Sequence, residues 1–206
     1  MVFLGGGGHA RVLRDLVRAL GWENRLLGIL DRNPAVGESG AWPVLGGDEY
    51  LDELNPQTVQ LVNGVGNTWS STARQAVFAA ARGKGFRFLT LVHPSAIVAP
   101  DVILGEGAQI MAGAVLQTGC RMGENAIVNT RAVLDHDTRL GAHGQVAPGA
   151  VLCGGVQTGD RVHVGAGATV IQSVRLGHDV VVGAGALVLR DVPDGQRVAG
   201  VPAKIL

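Results

Sequence analysis

Residues 97–120 read IVAPDVILGEGAQIMAGAVLQTGC, and an aliphatic residue returns at every sixth place: Val98, Leu104, Ile110 and Leu116. The step continues through Met122, Val128, Leu134, Leu140, Val146, Leu152, Thr158, Val164, Val170, Leu176, Val182 and Val188, with Thr158 the one interruption. Four places after these stand mostly small residues, such as Ala108, Ala114, Cys120, Ala126 and Ala132. A helix of period 3.6 cannot hold that register. Short strands that turn a corner every six residues can, with aliphatic side chains stacked inward coil upon coil. Gly105, Gly123, Gly141, Gly159 and Gly177 add an eighteen-residue period, so three hexads close one triangular coil. Adjacent coils then pair like strands, ~4.8 Å apart. The spacing predicts roughly five coils between about residues 95 and 192.

The aromatic residues confirm that the bore is narrow. All of them, from Phe3 to Phe88, precede residue 89, so the 206-residue chain has two different cores. We place the boundary at residues 92/93, with an α/β domain over 1–92 and an all-β domain over 93–206. Lysine plus arginine and aspartate plus glutamate are equal at 17 each, which argues against nucleic acid or an anionic membrane as a main partner. No basic leader opens the sequence and no apolar run is long enough to span a bilayer, so a cytoplasmic protein is expected. Cys120 and Cys153 belong to no CxxC or Cys/His cluster, so neither a disulfide framework nor a metal site is expected.

In the first domain VFL, LLGIL and TVQLVNGVG read as buried parallel strands. Residues 9–20 read as a helix with Val12, Leu13, Leu16, Val17 and Leu20 on one face, and Ser70, Ser71 or Thr72 as the cap of a second helix through AVFAAAR. The loop GGGGHA, residues 5–10, contains Gly5-x-Gly7-x-x-Ala10, and Asp31 follows the second strand: the outline of a dinucleotide-binding fingerprint. About 90 residues hold roughly one mononucleotide-binding half, which disfavours an NAD oxidoreductase. The glycines still let backbone N–H groups approach a phosphate at a helix N-terminus.

Beyond these readings the sequence resembles the hexapeptide-repeat left-handed β-helix acyltransferases. It is most similar to the sialic acid O-acetyltransferase and nucleotide-amino-sugar N-acetyltransferase family, through GGGGHA, LGILD, NGVGN, HPSA, NTRAVLDHD, QVAPGA with CGGV, and VAGVPAK. The resemblance implies left-handed coils, a homotrimer, acetyl-coenzyme A as donor with no metal, and a nucleotide-linked sugar as acceptor. It also implies site residues. His136 in Asp135-His136-Asp137 is the general base and Asp137 orients it. Gly154, one coil on, offers its N–H to the developing oxyanion. Ala166 and Ala184 contact the coenzyme. Gln145 stands where the family commonly has a donor-binding histidine. Asn129 lies near the sugar, while Gly7, Gly8, His9, Asp31 and Gly66 contact the nucleotide-sugar. Taken two places after each aliphatic, the residues are expected to form three outward faces: Glu106 to His178, Ala112 to Ala184, and Pro100 through His136 and Gly154 to Arg190.

An amine on a nucleotide-activated amino-sugar is the favoured acceptor. A sialic-acid-type O-acetyltransferase and a non-catalytic nucleotide-sugar-binding scaffold remain as alternatives. A β-helix metal hydratase of the γ-carbonic anhydrase type is disfavoured by the lack of a close HxxxxH pair.

Overall fold

The computed structural model describes residues 1–37, 42–66 and 72–206. Ser70 and Ser71, two of the three expected helix caps, and Asn67 of NGVGN lie outside these residues. The chain forms two compact units, one from Met1–Gly66 with Thr72–Leu89 and one from Thr90–Leu206. Among the described residues no helix is long and apolar enough to cross a membrane.

The first unit is a five-stranded sheet flanked by two helices. Its strands are β1 (Val2–Leu4), β2 (Gly28–Leu30), β3 (Val44–Gly46), β4 (Gln60–Asn63) and β5 (Arg87–Phe88), all parallel, in the order β3-β2-β1-β4-β5. Strand β1 feeds helix α1 (Gly8–Ala19) and β4 feeds α2 (Thr72–Gly83). The strand order reverses between β1 and β4, and such a switch point opens a crevice beyond the carboxyl ends of the strands. Helix α1 buries Ala10, Leu13, Leu16 and Val17, whereas Val12 is 46% exposed, contrary to its expected place on the buried face. The reason is angular: Val12 precedes Leu13 by 100° of helix, and Ala10, one turn before Leu13, takes the buried position instead.

The second unit is a parallel β-helix whose two-residue strands form three flat faces. Face I stacks Ile97–Val98, Val115–Leu116, Val133–Leu134, Val151–Leu152, Thr169–Val170 and Leu187–Val188. Face II runs from Ile103–Leu104 through Arg121–Met122, Arg139–Leu140 and Gln157–Thr158 to Arg175–Leu176. Face III runs from Leu91–Val92 through Gln109–Ile110, Ile127–Val128, Gln145–Val146 and His163–Val164 to Val181–Val182, and is closed by Arg197–Ala199 and an antiparallel Lys204–Ile205. The strands pair with those eighteen residues later, as Val133 does with Val115 and Val151, until the last coil, where Val181 pairs with Arg197.

Both sequence columns point inward, and Ile110, Ala114, Leu116, Ala126, Val128, Ala132, Leu134 and Val146 are fully buried in one core. Thr158, the exception, is satisfied within the core wall: its hydroxyl accepts from the Gly141 N–H and donates to the Gly159 carbonyl, each at 3.0 Å. The eighteen-residue glycines have a contact reason. A Cβ on Gly159 would lie 2.6 Å from the His178 nitrogen, and one on Gly105 would lie 2.5 Å from the Glu124 nitrogen.

The three outward columns are not faces. Each inward aliphatic is the last residue of its strand, so the residue two places later begins a turn and stands at a corner. The next residue has positive φ, as at Asn125, Arg131, Asp137, His143 and Arg161, between 55° and 60°. That is the left-handed conformation required at the third position of a type II turn.

Candidate active site

The corner between faces I and II carries Thr118, His136, Gly154, Gln172 and Arg190 in successive coils. The ring of His136 lies across the next coil. A Cβ built on Gly154 would collide with Nε2 and stand 2.6 Å from Cε1 of that ring. Only glycine accommodates the imidazole in this position. Nδ1 of His136 is 3.0 Å from Oδ2 of Asp137, and the His136 N–H donates to Oδ1 of Asp135 at 2.8 Å. A carboxylate can only accept, so the Nδ1 atom carries the proton and Nε2 is left as a lone-pair base facing Gly154. The Asp137 carboxylate, with the charge of Asp135 behind it, pushes the imidazole pKa above its ordinary value.

Corner amides differ among the three edges. Between faces II and III, side chains from the next coil take them: Asp160 binds the Ala142 N–H, His178 that of Asp160 and Asp194 that of His178, at 2.8–3.0 Å. The N–H groups of Gly154, Ala166 and Ala184 have no acceptor among the described residues. Gly154 is itself buried, so its amide is a shielded donor beside the His136 ring.

The other expected residues of this unit stand elsewhere in the chain. Ala166 and Ala184 are exposed at the corner between faces III and I, across face I from His136. Asn129 flanks the same corner, with its Oδ1 turned back to the Thr130 N–H at 2.8 Å. Gln145 projects from face III, only 6% exposed, and its Oε1 has no hydrogen-bond partner among the described residues. Columns two hexads apart reach different corners, so one chain does not bring these residues to His136.

In the first unit the glycine loop opens at the switch point between β1 and β4. Among the described residues nothing lies within 4 Å of a Cβ on Gly7 and no side chain caps α1, so none of them closes the helix N-terminus beside Gly8. Gly66 packs against His9, since a Cβ there would lie 3.1 Å from that of His9. Asp31 has a structural role that the fingerprint did not suggest: Oδ2 accepts from the Gly6 N–H at 2.7 Å and Oδ1 from the Asn33 N–H at 2.8 Å. An open cleft of about 320 Å³ is lined by Gly5, Asp31, Arg32, Asp48 and Val65, among others.

Arg74 was missed in the sequence. It is 1% exposed within α2 and donates to the carbonyls of Asn63 and Val65 at 3.0 and 2.7 Å, fixing the loop that ends in Gly66. Burial lowers its pKa to about 9, so it stays charged at neutral pH. The available signal was its spacing, since Arg74, Phe78 and Ala81 form the buried stripe of α2.

Residues 1–79 match the PglD N-terminal domain family. PerB from Caulobacter crescentus, solved in complex with CoA and GDP-perosamine, is 43% identical over 100% of this chain and 96% of its own, with a TM-score of 0.91. The acetyltransferase domain of PglB from Neisseria gonorrhoeae, solved with acetyl coenzyme A, is 36% identical over 100% and 98% of the two chains, with a TM-score of 0.93. The chain belongs to the left-handed β-helix sugar N-acetyltransferase family. Its coils accordingly wind to the left, against the usual hand of parallel crossovers. The UDP-N-acetylbacillosamine N-acetyltransferase of Bacillus subtilis is 38% identical over 115 residues, which span 54% of this chain and about half, 51%, of that enzyme.

The Asp137 contact makes a prediction about titration. Asp137→Asn keeps a side chain able to hydrogen-bond but removes its charge, so the His136 pKa should fall. The neutral ring would then persist to lower pH than in the parent protein. NMR titration of the His136 Cε1 proton measures this, and an unmoved or raised midpoint contradicts the assignment.

Proposed function

We propose that the protein transfers the acetyl group of acetyl-coenzyme A to the amino group of a nucleotide-linked amino-sugar, directly and with His136 as general base. The observation that carries this reading is the pairing of the free Nε2 of His136 with the shielded amide of Gly154. As the amine attacks the thioester carbonyl, Nε2 takes its proton. The nitrogen–carbon bond forms, the carbon–sulfur bond breaks and the departing sulfur recovers the proton from the imidazolium. Asp137 holds the tautomer and stabilises that imidazolium. The Gly154 N–H is aimed at the developing oxyanion, where a preorganised donor outside bulk water has its greatest effect.

Gln145, Ala166, Ala184 and Asn129 enter this reading from a neighbouring chain. Face I, which separates them from His136, presents Ile97, Val115, Val133, Val151 and Leu187 outward. Turning that apolar face of three chains towards a common axis sets the His136 corner of one chain beside the Ala166 and Ala184 corner of the next. The donor then lies along the groove, with the Gln145 amide beside it and Arg190, three coils beyond His136, near a coenzyme phosphate. The open helix end at Gly7, Gly8 and His9, with Asp31 and Gly66, receives the nucleotide-sugar. The relatives solved with CoA, acetyl coenzyme A and GDP-perosamine support both ligands. A reaction that needs acetyl-coenzyme A and an activated sugar together fits the cytoplasm.

Cys153 stacks in the register of Asp135 rather than of His136, so it is not placed as a nucleophile. His136→Ala should lower kcat by ~10² to 10⁴, the usual range for general-base assistance, with donor binding retained. Cys153→Ser should be nearly silent, and light scattering should give three chains per particle. An inactive cysteine variant beside an active histidine variant would overturn direct transfer, and a monomer would overturn the shared groove.

A further inference from the structure

The turn at Thr118 and Gly119 lies one coil before His136 and Asp137, at the same corner. It is tied from both sides. Oδ2 of Asp101 accepts from the Thr118 hydroxyl and from the Gly119 N–H, each at 2.8 Å, and the Thr118 carbonyl accepts from the Asp137 N–H at 3.0 Å. Gly119 has a φ of +75°, the left-handed conformation of the third turn position. That conformation does not by itself demand glycine here, since Asn125, Arg131, Asp137, His143 and Ser173 adopt it. The space does. A Cβ built on Gly119 would stand 2.5 Å from Oδ1 and 3.3 Å from Cγ of Asp137, the carboxylate whose other oxygen meets Nδ1 of His136. Gly149, Gly167 and Gly195 hold the same turn conformation with nothing among the described residues within 4 Å of such a Cβ. The imidazole and its carboxylate are thus seated between two glycines, the ring over Gly154 on the later coil and the carboxylate over Gly119 on the earlier one.

We propose that Gly119 is a positioning residue for the reaction: the side chain it lacks is the space from which the Asp137 carboxylate reaches Nδ1 of His136. This rests on the acetyltransferase reading in which His136 is the base. The Asp137 side chain is exposed, and its Cα stands 3.4 Å from the same Cβ, an ordinary contact. A methyl group at 119 therefore displaces the carboxylate rather than the backbone. Nδ1 then loses the acceptor that fixes its proton, and the imidazolium formed during proton transfer loses its nearest counter-charge. The charges that bear on the ring are Asp137 and Asp135 on its own coil. The later coil brings Gly154, Gly155 and the half-buried thiol of Cys153, and the earlier one Thr118, Gly119 and the buried thiol of Cys120, with Asp101 behind them. The Asp137 hydrogen bond is the largest influence raising the pKa of His136, so displacing it lowers that pKa.

The test compares Gly119→Ala with Gly195→Ala in the intact protein. Gly195, at the corner between faces II and III, has a φ of +70° and no described atom within 4 Å of a Cβ, so it carries the same backbone cost without the contact. Gly119→Ala should lower the His136 titration midpoint, read from its Cε1 proton, and move the acid limb of the kcat profile to lower pH. It should also reduce kcat roughly tenfold, part of the about 10² to 10⁴ that general-base assistance supplies, while KM for acetyl-coenzyme A stays as in the parent. Gly195→Ala should lose comparable thermal stability and keep the parent's midpoint and kcat. In an Asp137→Asn background Gly119→Ala should add little, because the charge it displaces is already gone. Gly119→Asn, whose side chain suits positive φ, brings the same Cβ and the same fall if the alanine variant does not fold. An unmoved His136 midpoint, an equal fall in Gly195→Ala or an unchanged kcat profile overturns the proposal. The titration needs no substrate, so it decides on Gly119 even if the parent acetylates no nucleotide-sugar, an outcome that would sink the function alone.

Discussion

The eighteen-residue hydrogen-bond register between coils is the constraint on which the rest depends. Each strand donates to the coil above and accepts from the coil below, so residues n and n + 18 share one place around the triangle. That superposition sets Gly154 under the ring of His136. It also demands the glycine column, because a Cβ at Gly105 or Gly159 points into the backbone of the next coil. A register slip of a single residue would turn inward aliphatics outward, so the buried core and the candidate site are held by the same ladder.

The corners are where this ladder leaves polar groups over. The first turn residue of each corner has an amide that no coil claims, and the protein deals with it differently along each edge. Asp160, His178 and Asp194 cap the edge between faces II and III, which makes that edge a closed stack. On the other two edges the Thr130 and His136 N–H groups are taken by the side chains just before them, whereas Gly154, Ala166 and Ala184 stand without a side chain able to reach back. Their open amides and small outlines suit an extended ligand that follows the axis. At one height the carboxylate of Asp137 meets the imidazole of His136 and raises its basicity.

Much of this was legible because a six-residue period is incompatible with any other regular structure. The inward columns, the triangle and the stacking of His136 on Gly154 follow from counting. The hand of the coil does not, since left and right coils share one periodicity, and it came from resemblance. The outward columns were mistaken for faces because counting does not reveal that each strand is only two residues long. Val12 misled for a similar reason, as an apolar residue at the margin of a helical stripe looks like a member of it. The role of Asp31 as a clasp on the glycine loop, and of Arg74 beneath the loop ending in Gly66, depends on contacts between distant backbone atoms that no local pattern encodes. The separation of Gln145, Ala166 and Ala184 from His136 was implicit in the hexad count.

The central claim is that the corner of His136 and Gly154 makes an amide from a thioester and a sugar amine. Incubating the protein with carbonyl-labelled acetyl-coenzyme A and a set of nucleotide-linked amino-sugars, then treating the product with hydroxylamine, tests it most directly. Esters are cleaved under mild conditions and amides are not. The account predicts label on the nucleotide-sugar that survives the treatment. Label that hydroxylamine releases, or label that never leaves the coenzyme with any amino-sugar offered, would contradict it.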